Sequence, residues 1–269
     1  MTDNFENIKS ELFKLQHYNW GGDQKNALDK KIISVIKTHY VYDEIVCQLD
    51  NQIKSHVERY TLTSWYNTWS SILIEYLFKK EPKVFPALGK IKSVDFFIDS
   101  VPLDLKTTFF PHGFIKMKRM TNELTKLKKL AREYSCVFDK SADDNTIKYQ
   151  IIEQINFKEN MNAKRKLDEL LNENIVIINE AISDPNELIK WLYENQGEMR
   201  FGAENRLFII LIDRENLSAS WKLKRDFDKQ RRIISEYINS FNKNTMRTLT
   251  FDFNGKTYSA LADCIFVVK

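Results

Sequence analysis

The sequence predicts an α/β protein, and three observations carry that prediction. Lys92–Phe109 reads as two strands around a tight turn at Asp99-Ser100. Arg206–Asp213, with Leu-Phe-Ile-Ile-Leu-Ile at its centre, reads as a central strand covered on both faces. Amphipathic helical patterns lie between and around these strands, so the two element types interleave.

Taken in order, residues 1 to 60 form a helical N-terminal region. Ile8, Leu12, Phe13 and Leu15 mark a first helix, broken at Asn19-Trp20-Gly21-Gly22. Leu28, Ile32, Ile33 and Ile36 mark a second; Val41 to Val57 is a third, with Ile45, Val46, Leu49 and Ile53 inward. Ser64 is placed to cap a strong helix from Trp65 to Lys80. Trp65, Trp69, Ile72, Leu73 and Tyr76 share its apolar face, Ile74, Leu77 and Phe78 extend it around the helix, and Glu75 is the one carboxylate of its narrow polar stripe.

Lys83–Leu88 is a short strand leading into the hairpin. After it comes a basic stretch, with Lys116, Lys118, Arg119, Lys126 and Lys129 outward and Leu124, Leu127, Leu130 and Ala131 inward at helical spacing. Asp139–Asn145 is a loop; helical sequence follows, and Asn174–Ile178 reads as a buried strand. Ser183-Asp184-Pro185 opens a helix through Trp191 and Tyr193. Ser218–Phe241 reads as one helix carrying Lys222, Lys224 and Arg225. Asn254-Gly255 joins Leu249–Phe253 to Thr257–Val268 as a hairpin.

With seven glycines and five prolines in 269 residues, and 43% hydrophobic residues, the chain has ample core material and little linker composition. One domain is expected, its core drawn from 61–110 and 200–269, with 111–200 a mostly helical insertion. No apolar run reaches the roughly 18 residues of a membrane span, and the polar start Met-Thr-Asp-Asn-Phe-Glu has no signal-peptide core. Cys47, Cys136 and Cys264 form no C-x-x-C pair. Reduced thiols and a cytoplasmic location are the expectation. The net charge of +4 permits nucleic-acid binding without demanding it.

The chemistry concentrates in the first hairpin. Side chains alternate faces along a strand, so a turn centred between Asp99 and Ser100 sets Asp95 across from Asp104 and Ser93 across from Lys106. Facing carboxylates repel. A divalent cation between oxygen ligands resolves that repulsion, and Lys106, two residues along on the same face, is placed to act on a bound water. Asp23-Gln24-Lys25, Asp29-Lys30-Lys31 and Glu81-Pro82-Lys83 share the D/E-x-K spacing, but only Asp104-Leu105-Lys106 lies in an apolar strand with an acidic partner in register.

This arrangement resembles the PD-(D/E)XK nuclease superfamily, with Asp95 standing for the first acidic residue and Asp104-Leu105-Lys106 for the D-x-K half. Val94 stands where the motif has proline. The resemblance covers about twenty residues and the helix before them. It implies a restriction-endonuclease-like core, a mixed central β-sheet flanked by helices. It also implies a site in which Asp95, Asp104 and the Leu105 carbonyl hold Mg²⁺, Lys106 handles the attacking water, and Glu75 adds a metal or water contact from the preceding helix. Glu58 and Glu81 are weaker candidates for that last role.

The expected function is that of a type II restriction enzyme, a Mg²⁺-dependent endonuclease cutting double-stranded DNA at a specific sequence, with a homodimer the simplest arrangement for a palindrome. Lys116, Lys118, Arg119, Lys126, Lys129, Lys222, Lys224 and Arg225 are the expected DNA contacts. The alternatives are a repair or recombination nuclease with the same chemistry and a non-catalytic DNA-binding module on the same scaffold. Phosphate-loop and dinucleotide motifs are absent, and His17, His39, His56 and His112 have no zinc-ligand spacing.

Overall fold

A computed structural model describes residues 4–16, 18, 25–39, 41–87, 94–119, 123–195 and 204–269. The expected break at Asn19-Trp20-Gly21-Gly22, and the positions of Leu88, Lys92 and Ser93, lie outside the described residues. The fold class is α/β, a mixed six-stranded sheet with helices on both faces.

The helices are α1 (Phe5–Leu12), α2 (Lys25–Thr38), α3 (Tyr42–Gln48), α4 (Lys54–Lys79), α5 (His112–Lys118), α6 (Glu123–Glu133), α7 (Asp144–Phe157), α8 (Met161–Ser183), α9 (Asn186–Asn195) and α10 (Phe227–Ser240). The strands are β1 (Val84–Pro86), β2 (Phe96–Ile98), β3 (Val101–Phe109), β4 (Arg206–Ile212), β5 (Arg247–Phe253) and β6 (Lys256–Val268), in the spatial order β1-β2-β3-β4-β6-β5. The β1/β2, β2/β3 and β5/β6 pairs are antiparallel, while β3/β4 and β4/β6 are parallel. The crossover from β3 to β4 runs through α5–α9.

Every residue of β4 is buried, as its unbroken apolar run requires. Leu207, Ile209 and Leu211 meet Leu73, Leu77 and Phe78 of α4 and Ile234 and Ile238 of α10 in one core. Phe208, Ile210 and Ile212 meet Ile178 of α8 and Leu188, Leu192 and Tyr193 of α9 in a second. A third core belongs to the insertion, where Leu127 of α6, Ile151 and Ile155 of α7 and Leu167 of α8 pack together. Each such side chain contributes about 1.5–3 kcal/mol on full burial, so α6, α7 and the first half of α8 have a core of their own while the end of α8 and α9 pack on the sheet.

Four expectations are corrected. Asn174–Ile178 is not a strand but the interior of α8. The buried positions Leu167, Leu170, Asn174, Ile178 and Ala181 recur at helical spacing while Val176 points to solvent, so the period overrides the β-branched composition. Ser64 caps nothing: α4 begins ten residues earlier and runs into it from α3 through a π turn, Leu49–Ile53. Ser218–Phe241 is divided into a 3₁₀ segment, Leu217–Arg225, and α10. The division falls at Asp226, whose side chain accepts from the Lys229 amide and starts the second helix afresh. Finally, Ile33, Ile36, Val46 and Leu49 do not point inward; all four are exposed, and Val35 takes the inner position on α2.

On α4, Leu73, Ile74, Leu77 and Phe78 of the expected apolar face are buried together with Tyr66 and Ser70, whereas Trp69 is exposed. The hairpin turns are as read: Asp99 and Ser100 both have positive φ (45° and 66°), as do Asn254 and Gly255 (50° and 74°). That backbone hand matches strand twist in two-residue turns.

Candidate active site

The turn conformation sets the register Phe96↔Leu103 and Ile98↔Val101. One residue earlier that register breaks: Asp95 does not continue the pairing to Asp104 but shares Leu103 with Phe96, a bulge where β2 begins that leaves Asp95 beside Asp104 rather than directly across from it. The Asp95 amide donates to Leu103 O at 2.9 Å, and its carboxylate Oδ2 accepts from the Leu105 amide at 2.8 Å. The first carboxylate is therefore fixed to the backbone of the strand that carries the second.

Leu105 has an amide to spare because the two sides of β3 serve different partners. On the β4 side, the Asp104 amide donates to Asn205 O at 2.9 Å. Backbone groups alternate sides along a strand, so both the N–H and C=O of Leu105 turn away from β4 and toward the hairpin. The Leu105 carbonyl thus opens on the same side as the Asp95 carboxylate.

Asp104 is buried and doubly paired. Lys106 Nζ donates to its Oδ1 at 2.7 Å, and Arg206 Nε donates to its Oδ2 at 3.2 Å. Burial raises the Asp104 pKa above the usual carboxylate value; Lys106 and Arg206 oppose the rise, and the Asp95 charge adds to it. Burial also raises Asp95. The Leu105 hydrogen bond opposes that rise, Glu75 adds to it, and Lys106 and Lys79 oppose it. The two carboxylates, Glu75 and Lys106 therefore lie within each other's electrostatic reach. Glu75 reaches the site from α4, held in an ion pair by Lys79 one turn along.

Among the described residues, no group of three or more His, Cys, Asp or Glu side chains could hold a metal ion. What Asp95, Asp104 and the Leu105 carbonyl offer is a sparse set of hard oxygen donors. That set fits Mg²⁺, which takes one or two carboxylates and keeps water in its remaining positions. The fit has conditions: Lys106 and Arg206 engage the two oxygens of Asp104, and the Leu105 amide engages Oδ2 of Asp95.

Three residues of this site escaped the sequence reading. Arg206 opens β4 in parallel register with Asp104, and its side chain is 3% exposed. Its Nη2 donates to Glu204 Oε2 at 3.3 Å, and its guanidinium lies 5.0 Å from the centre of the Tyr193 ring. The Tyr193 hydroxyl donates to Glu204 O at 2.8 Å, and burial raises its pKa, so it remains a donor. The available signal was a charge at the mouth of an otherwise apolar strand.

No family model matches this chain. Nor does any curated protein or solved structure. The site's own geometry therefore carries the functional reading.

The expected DNA contacts do not converge on the carboxylates. Lys116 and Lys118 lie on α5, beyond the far end of β3, about 15 Å along the strand from Asp104 at roughly 3.3 Å per residue. Lys118 pairs with Glu187, and Lys126 pairs with Glu173 at 2.7 Å. Lys129 and Lys222 are exposed, the latter following the same far end of the sheet. Arg119 and Lys224 are not surface residues at all. The Arg119 side chain is 3% exposed and donates to Leu170 O at 3.0 Å. Lys224 is buried, donates to Asn67 Oδ1 at 2.9 Å, and has its pKa lowered to about 8 by that burial. Arg225 ties α1 down, donating to Leu12 O at 2.8 Å and Leu15 O at 2.9 Å. Charge runs mark exposure only on average, and long aliphatic stems let Lys and Arg enter cores when a carbonyl waits for the head group. The cations that stand near the carboxylates are Lys106, Arg206 and Lys79.

Proposed function

We propose that this chain is a Mg²⁺-dependent endonuclease of the PD-(D/E)XK kind, cutting double-stranded DNA at a specific sequence as type II restriction enzymes do. One observation carries the reading: Asp95 is fastened to the Leu105 amide at the open end of a hairpin whose other strand holds Asp104 and, 2.7 Å from it, Lys106. In this reading Asp95, Asp104 and the Leu105 carbonyl hold the cation. When bound, Mg²⁺ supplies charge neutralisation at the scissile phosphate and a polarised water. Lys106, released from Asp104, would orient that water and stabilise the negative charge that builds on the phosphate. Glu75 holds a further water through its carboxylate, and Arg206 keeps Asp104 in place from behind. No helix among the described residues is long and apolar enough to cross a membrane; a cytoplasmic protein acting as a homodimer on a palindromic site completes the proposal.

Incubating plasmid with the protein and Mg²⁺, then sequencing the ends, tests it. Discrete fragments with 5′-phosphate ends support a restriction enzyme. A smear, or cutting at junctions alone, makes it a repair or recombination nuclease with the same chemistry. A second reading has its own support: with Lys106 and Arg206 both on Asp104, the carboxylate is already neutralised, as a non-catalytic DNA-binding module would have it. DNA retention with no nicking under Mg²⁺ or Mn²⁺ decides for that module.

A further inference from the structure

Helices α2 and α3 expose apolar side chains that a water-facing helix does not need. On α2, Ile33 and Ile36 point outward, Ile36 being 59% exposed. On α3 and the π turn after it, Tyr42, Val46 and Leu49 form one outward stripe, with Tyr42 79% exposed. None of the residues of α3 is buried. Contiguous exposed apolar surface of this kind marks an interface.

The charges beside the stripes say what fits there. On α2, Lys30 and Lys37 stand one turn before and one turn after Ile33. On the α3 segment, Asp43 and Asp50 stand one turn before and one turn after Val46. All four are exposed, and among the described residues none of them enters an ion pair. Seven residues separate the two lysines and seven separate the two aspartates, about 10 Å in each case. An α2 stripe and an α3 stripe are therefore complementary in shape of spacing, in sign of charge and in apolar centre. Both stripes belong to the same chain, which is the condition for a two-fold interface.

We infer that a second copy of this chain docks here, α2 of each protomer against α3 of the other. Ile33 and Ile36 pack on Val46 and Leu49, and Lys30 and Lys37 face Asp43 and Asp50, the whole set occurring twice. The two helices dock antiparallel, because on each of them both charges lie on the same flank of the apolar stripe and such flanks face one another only in that direction. The inference names a surface for the second copy that the nuclease reading calls for, yet it uses no residue of that site. A monomer that still nicks DNA therefore sinks the surface and spares the chemistry.

Sedimentation equilibrium on the full chain tests it. The wild type is expected to be a dimer. Lys30→Glu/Lys37→Glu and Asp43→Lys/Asp50→Lys each set like charges against one another, and each weakens the dimer by roughly 100-fold. Mixing the two variants restores it, because every contact in the mixed dimer again pairs an acid with a lysine. Ile36→Ser/Val46→Ser weakens the dimer without altering charge, and unchanged circular dichroism checks folding throughout. A monomeric wild type, a dimer indifferent to both reversals, or failure of the mixture to reassociate overturns the inference.

Discussion

The Leu105 amide donates to Asp95 Oδ2 at 2.8 Å, so the backbone of β3 holds the first carboxylate of the pair while its side chain at position 104 supplies the second. Each acid is thereby held in place by its own contacts, Asp95 by the Leu105 amide and Asp104 by Lys106 and Arg206. That rigidity is what a preorganised cation site needs. It also fixes what substitutions at the neighbouring positions do.

Lys106 and Asp104 are expected to separate binding from chemistry. Lys106→Met frees Oδ1 of Asp104 from its 2.7 Å contact, so Mg²⁺ binding by calorimetry is retained or tightened while cleavage falls by roughly 100-fold or more. Asp104→Asn loses both cation binding and cleavage but keeps DNA affinity. Equal loss of Mg²⁺ affinity in the two variants contradicts the arrangement.

Acid should switch the site off at a higher pH than ordinary carboxylates dictate, since burial raises both Asp95 and Asp104. Cation binding needs the ionised forms, so Mg²⁺ affinity and cleavage fall as pH drops through the raised pKa values. Without metal the stability sign is opposite to the common one. Between the ordinary carboxylate value and the raised ones the native state holds more protons than the unfolded state, so stability falls as pH rises across that window. Thermal midpoints measured against pH should decline there without Mg²⁺ and recover with it. A profile identical with and without Mg²⁺ refutes the coupling.

Arg206 stabilises as well as positions. Its buried head group answers both Asp104, at 3.2 Å, and Glu204, at 3.3 Å. Arg206→Met takes the cation from Glu204 and leaves Asp104 with Lys106 alone, and should cost about 3–5 kcal/mol by chemical denaturation. Arg206→Lys carries its donors on a single nitrogen, which lacks the reach of the planar guanidinium fork toward both carboxylates, and recovers only part of that loss. Indifference to both substitutions would mean that the network adds nothing.

Lys224 makes a prediction far from the site. Its pKa is lowered to about 8 by burial. Below pH 8 the lysine is charged in both folded and unfolded states, and the cost of burying that charge is fully present. As pH rises above 8 the native state gives up its proton first, so stability increases until the unfolded lysine also titrates. The wild type should gain on the order of 2–3 kcal/mol relative to Lys224→Met across that window. Parallel pH profiles for the two proteins would rule this out.

The sequence by itself determined the local features. Alternation along 94–109, the positive-φ turn at Asp99-Ser100 and the Asn254-Gly255 hairpin depend on neighbours within a few residues, and sequence displays neighbours directly. The nearness of Asp95 to Asp104 followed from that turn, although the bulge at Asp95 breaks the direct opposition that the turn predicts. So did the burial of Arg206–Ile212, because an unbroken apolar run has nowhere else to go. The tertiary structure decided whatever spans long separations. That Arg206 sits beside Asp104 depends on a parallel register between residues 102 positions apart in the sequence, with no local trace. The internal places of Arg119, Lys224 and Arg225 depend on distant partners at Leu170, Asn67 and Leu12. The outward turn of Ile33, Ile36, Val46 and Leu49 was hidden for the same reason: periodicity locates a stripe on a helix, but only the packing of the other elements decides whether that stripe meets the core or the solvent.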